Sequence, residues 1–202
     1  LQSALEYSEE MAVRLYGSYQ KAVAIYNLPS SFMVSLTACI VPAVSAALTT
    51  KDQVGAGKVA ESALRVGAML AIPAGVGLAV LSGPVIQLLF PETNQEVSSA
   101  CMLILGVASI FVCIMLLCNA ILQANGRAAL PIWFIAIGSV LKLLVNFFLV
   151  QQPAFGIKGA PIGTLICFAL VAVLELAAIR RVTPHPTKYS RVFVKPLIAS
   201  LA

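Results

Sequence analysis

Lys142 and Asn146 stand four positions apart in the run VLKLLVNFFLV, residues 140–150. Four positions make about one helical turn, so an ammonium and a carboxamide share one helix face. Asn119 and Gln123 repeat that spacing in CNAILQAN. A third polar set, Lys21, Tyr26 and Asn27, leads up to Pro29. Lysine offers charge and donors, and carboxamides offer both donor and acceptor, so these residues suit recognition better than bond-breaking. Bond-breaking constellations are missing from the sequence: there are no paired carboxylates, no HExxH and no GxSxG. Gly55 and Gly57 in VGAGK lack the spacing of a phosphate-cradling loop. His185 is the one histidine. Cys39, Cys101, Cys113, Cys118 and Cys167 include no CxxC pair and read as small buried hydrophobes. No enzyme activity, metal or cofactor is expected.

The surroundings of these polar groups set their meaning. Of the 202 residues, 60% are hydrophobic and 10% charged, with a mean hydropathy of +0.96. A soluble domain carries about 25% charged residues. Residues 22–50, 66–91 and 97–126 contain no charge at all. A bilayer core about 30 Å thick takes about 20 such residues per helix. The windows show none of the period-two alternation of barrel strands. An all-α integral membrane protein with the lipid bilayer as its first partner is expected, and the net charge of +5 then reports topology, not nucleic-acid binding.

Five spans are expected over 16–48, 63–90, 97–124, 129–150 and 160–179. Residues 1–15 read as an extracytoplasmic loop, and 183–202 as a cytoplasmic loop followed by the start of a further span. The chain is therefore expected to be a piece of a longer protein. The loops after the first, third and fifth spans carry Lys51, Lys58 and Arg65, then Arg127, then Arg180, Arg181, Lys188 and Arg191. The intervening loops, PETNQE and QQPAFGIKG, are poor in basic residues, so the positive-inside rule puts the basic loops in the cytoplasm. Pro29, Pro42 and Pro73 fall inside spans and are candidate hinges. Gly75, Gly77 and Gly83 are candidates for close helix approach.

Depth makes Lys142 the leading candidate. If residues 129–150 cross the core, Lys142 lies about 4 Å outward of the midplane and about 11 Å from the hydrocarbon edge. A lysine stem snorkels about 6 Å. A lipid-facing charge there costs about 3 kcal/mol, so a water-filled or substrate-facing position is expected over snorkelling or a structural pair. Glu175, five residues before Arg180, reads as interfacial, which leaves no acidic residue at mid-depth.

Five stretches taken in order carry a family resemblance. They are YGSYQKAVAIYNLPSSFMVSLTACIVPAVSAAL, IPAGVGLAVLSGPVIQLLFP, NAILQANGRAALP, GSVLKLLVNFFLV and GIKGAPIGT. The ordered set resembles the polysaccharide-biosynthesis branch of the multidrug/oligosaccharidyl-lipid/polysaccharide exporter superfamily. The likeness is greatest to the stage V sporulation protein B group, cousins of lipid II flippases. The resemblance implies a two-lobed, MATE-like helical fold of which this chain is most of the C-terminal lobe. The N-terminal lobe would be its partner in the same chain. It implies transport of an undecaprenyl-linked sugar precursor across the bacterial inner membrane by alternating access, in polysaccharide or spore-wall synthesis. Lys142 and Lys21 would then meet the pyrophosphate, and Asn119, Gln123 and Asn146 the sugars. Lipid II flippases carry an Asp-Arg pair before the proline matching Pro29; here Val23 and Ala24 stand there. A cation-coupled multidrug exporter is the alternative within transport, and a non-transporting scaffold of envelope assembly the alternative outside it.

Overall fold

The computed structural model describes residues 9–92, 94–150 and 156–182. They form six α-helices: α1 Glu9–Thr49, α2 Gln53–Val80, α3 Ser82–Leu89, α4 Gln95–Ala124, α5 Ala129–Val150 and α6 Gly159–Val182. A 3-10 turn, Gly156–Lys158, precedes α6, and no strand occurs among the described residues. All but α3 are long and apolar enough to cross a membrane. In hydrocarbon a helix satisfies its own backbone groups, which a lone extended segment cannot do. The chain is a polytopic all-α membrane protein. Residues 183–202, with His185 and the expected further span, lie outside the described residues.

Two elements differ from the sequence reading. The helix of the first span begins at Glu9, inside the stretch expected to be a loop. Residues 9–16 contain neither Gly nor Pro and are rich in helix formers, so nothing stops the helix there. At 41 residues, α1 is about 60 Å long, twice the thickness of a bilayer core. The second span starts ten residues earlier than expected and is broken. Asp52 caps α2, its carboxylate accepting from the Gly55 N–H at 2.8 Å, and this overrides the low helix propensity of Gly55 and Gly57. Leu81 then interrupts the helix with φ −89° and ψ 15°. Pro84, which lacks an N–H, falls in the first turn of α3, where a donor has no intrahelical partner to lose.

Pro29 and Pro42 sit inside α1 and Pro73 inside α2, and both helices continue through them. Hydroxyls bond the neighbouring carbonyls: Ser30 and Ser31 Oγ donate to the Asn27 carbonyl at 2.8 and 2.9 Å, beside Pro29.

Helix α4 is the centre of the bundle and packs against α1, α2 and α6. One apolar cluster joins α1, α2, α4 and α6 around Val44, Leu64, Ile72, Leu117, Ile121 and Ile179; a second joins α1, α3 and α4 around Ile25, Ile86, Met102 and Leu105. Ser98 on α4 donates to the Ser18 carbonyl on α1 at 3.2 Å, a buried tie between the two helices. Helix α5 is the edge: it packs on α6, and Trp133, Leu143, Phe147 and Phe148 stand exposed on its other side.

Of the three glycines expected at a seam, one is there. Gly75 on α2 meets Gly106 on α4, while Gly77 and Gly83 have open space around them. A Cβ on Gly106 would lie 2.7 Å from the Ala79 backbone nitrogen and 3.0 Å from its Cα. Backbone does not step aside as a side-chain tip does, so Gly106→Ala is expected to cost about 1–2 kcal/mol by pushing α2 off α4. Gly77→Ala is the control. Thermal unfolding in detergent reads the difference, and equal melting points would contradict the seam.

Candidate functional site

The α5–α6 seam is built from two matching rows. On α5, Gly138, Lys142 and Asn146 recur every four residues; on α6, Gly163, Cys167 and Val171 do the same. The helices run antiparallel. A Cβ on Gly138 would meet Cys167 Sγ at 3.0 Å and Val171 Cγ2 at 2.5 Å, and one on Gly163 would overlap Asn146 Oδ1. Gly163 thus makes room for the Asn146 side chain. Asn146 Oδ1 is buried and has no hydrogen-bond partner among the described residues. One turn away, Lys142 is half-buried, with Nζ 6.0 Å from the centre of the Phe168 ring. Among the described residues no carboxylate lies within ion-pair distance of it. An ammonium over an aromatic face and a carboxamide oxygen without a donor are recognition groups left partly unsatisfied.

The other sequence candidates fall elsewhere. Lys21 is half-buried, its Nζ 5.4 Å from the centre of the Phe90 ring, and it lines a cleft of about 410 Å³ with Arg14, Ser18, Glu92 and Asn94. Tyr26 is buried in the α1–α3–α4 cluster, and Asn27 is exposed. Asn119 has a buried Oδ1 without a partner among the described residues, whereas Gln123, one turn on, is exposed. Lys21, Lys142 and Asn146 share the half of the bundle marked by Phe90 and by the Glu96–Lys158 pair at 3.9 Å. Asn119 and Gln123 occupy the last two turns of α4, at the opposite end. The seven residues therefore do not form one cluster. Helices α4 and α5, which carry the two spaced pairs, barely touch.

Two expectations are corrected. Cys39 is exposed, while the other four cysteines are buried. Glu175, expected near the interface and so within reach of water, is sealed inside the bundle: it is 0% exposed, and neither carboxylate oxygen has a hydrogen-bond partner among the described residues. It lies seven residues, about 10 Å of helix, before the end of α6, with Cys118 of α4 within electrostatic range. An acidic residue therefore does sit in a span interior. Its sequence signal was isolation, since LICFALVAVLELAAI contains no other charge.

Polar side chains held without partners inside a bundle of apolar spans mark pathways in membrane transport proteins. The fold defines a multi-pass membrane protein whose apolar interior holds a few unpartnered polar groups. The match to known proteins narrows the class. Residues 13–202 fit the family described as Lipid II flippase MurJ, and the chain belongs to that family. It is similar to the uncharacterized membrane protein YabM of Bacillus subtilis, 32% identical over 90% of this chain and 33% of that protein. It also resembles the stage V sporulation protein B of the same organism, at 28% over 88% of this chain and 34% of the relative. A third relative is the probable low-salt glycan biosynthesis flippase Agl15 of Haloferax volcanii, at 25% over 87% and 37%. The chain thus spans about a third of the length of the curated relatives it matches.

Proposed function

We propose that this chain is most of the C-terminal lobe of a flippase of the bacterial inner membrane. The protein moves an undecaprenyl-linked sugar precursor outward by alternating access, against an N-terminal lobe in the same chain. The observation that carries this reading is Lys142: a half-buried ammonium in a span interior, without a carboxylate partner among the described residues, one turn from an unpartnered Asn146 oxygen. A pyrophosphate would satisfy the first and a sugar hydroxyl the second. The flippase names of relatives support the substrate class. Val23 and Ala24, standing where the resemblance implies an Asp-Arg pair, favour a lipid-linked oligosaccharide of the sporulation type over lipid II itself. Transport does the work in this reading, with no covalent chemistry.

The test is translocation of a lipid-linked oligosaccharide in proteoliposomes, read as its accessibility to a membrane-impermeant lectin. Protein-dependent exposure is expected. A scaffold would leave the substrate on its original leaflet. A cation-coupled exporter is the second reading, and the buried Glu175 is the observation in its favour. It predicts ion-gradient-dependent efflux of hydrophobic cations in the same vesicles and no movement of the oligosaccharide.

A further inference from the structure

The α5–α6 seam, tight at its glycines, opens into a cleft of about 340 Å³ at the opposite end. Its walls are Leu130 and Phe134 of α5 and Leu174, Ala178 and Val182 of α6; its mouth holds Arg127 and Arg181. Both arginines are exposed, and neither pairs with a carboxylate among the described residues. Glu175, the nearest acid on α6, is turned into the core.

The backbone fixes Arg127 at that mouth. Gly126 ends α4 in the left-handed region at φ 71°. Its N–H donates to the Gln123 carbonyl, and the Arg127 N–H donates to the Leu122 carbonyl, both at 2.9 Å. Together these make a helix stop that only a residue tolerant of positive φ completes well. Arg181 lies in the last turn of α6. The two guanidiniums thus stand at the ends of neighbouring spans, at the level of lipid headgroups, on the side that the loop charges assign to the cytoplasm.

We propose that this cleft binds an anionic phospholipid of the cytoplasmic leaflet. The phosphodiester sits between Arg127 and Arg181, and an acyl chain lies along Phe134, Leu174 and Ala178. Charge selects the occupant. Guanidiniums form paired hydrogen bonds to phosphate oxygens, and the cytoplasmic leaflet supplies anionic headgroups. A zwitterionic lipid brings its own ammonium to the same mouth and gains less. The site stands apart from Lys142 and does not depend on the substrate proposed above.

The purified protein, titrated in mild detergent with phosphatidylglycerol or phosphatidylcholine, shows its bound lipids by native mass spectrometry. Phosphatidylglycerol is expected to be retained in preference. The double variant Arg127→Ala/Arg181→Ala, which removes both charge-assisted contacts, should lose at least about tenfold in that retention, at an unchanged melting point. Ala177 of α6 also lines the cleft, and Ala177→Phe, which fills it with both arginines in place, should lose a similar factor. Lys58→Ala/Arg65→Ala, which removes two cations from α2 at the same end, should change nothing. Equal retention in the arginine variant overturns the site, and so does an equal loss in the Lys58/Arg65 control. Displacement of the lipid by millimolar glycerol phosphate would show that the mouth takes a free anion and that the apolar walls contribute nothing, which also overturns the lipid assignment.

Discussion

Lys142→Gln is expected to lower translocation about 10- to 100-fold, the loss of one charge-assisted contact of about 1.5–3 kcal/mol. The fold should survive the change. Lys142 is half-buried and makes no ion pair among the described residues, and its contact with the Phe168 ring at 6.0 Å is worth about 0.5–1 kcal/mol. Function and stability therefore separate at this position, which is what distinguishes a recognition group from a structural one. Lys142→Arg keeps the charge and should keep part of the activity. It will not keep all of it, because a planar fork does not fit where a compact ammonium did. Lys158→Gln is the matched control. It removes a lysine from the same half of the bundle, but one paired with Glu96 at 3.9 Å at the surface, where such pairs contribute little. Complementation of a deletion strain at matched expression is the measurement. If Lys142→Ala and Lys142→Gln both complement fully, the ammonium has no part in transport.

How legible such a residue is in sequence depends on contrast with its background. Lys142 stood out because a lone charge in VLKLLVNFFLV is costly wherever lipid surrounds it, and depth can be computed from helical rise alone. The existence and class of the spans were legible for the same reason: uncharged windows of that length have few other uses. Facing was not legible. On α5 and α6 nearly every side is apolar, so periodicity gives no inner face, and lipid is as welcoming to leucine as a neighbouring helix is. Only packing shows that Asn146 meets Gly163 while Phe147 and Phe148 point away. The same blindness misplaced Glu175: counting residues to Arg180 gives a depth, but the packing of α4 against α6 decides whether the carboxylate can reach water. Gln123 fails in the opposite sense. It shares a helix face with Asn119 by spacing, yet one is exposed and the other half-buried, because the last turn of α4 packs through Ile121 and Leu122 and leaves Gln123 on its outer side. Local chemistry also beat composition at Asp52, where one carboxylate cap starts a helix through two glycines.

Glu175→Met is expected to make the protein more stable by about 2–3 kcal/mol, since a buried carboxyl with no hydrogen-bond partner costs about that much. Methionine matches the length and unbranched shape of the side chain, so the site need not repack. The series around it tests the cause. Glu175→Gln should gain less, because an amide brings donors and acceptors that find no partner there either. Glu175→Ala should gain nothing or lose, because it opens a hole among Val171, Ala172, Ala178 and Ile179, all of them buried. Melting points in detergent order as Met above Gln above wild type if the unpartnered carboxyl is the liability; a Met variant no more stable than wild type would mean that Glu175 has a partner in the intact protein. The functional arm points the other way. An ionisable group kept in a membrane interior at a cost in stability is kept for what it does there. The stabilised Glu175→Met protein is therefore expected to translocate less than wild type. A variant both more stable and fully active would reduce Glu175 to a defect of packing, and with it the case for a cation-coupled step in this lobe.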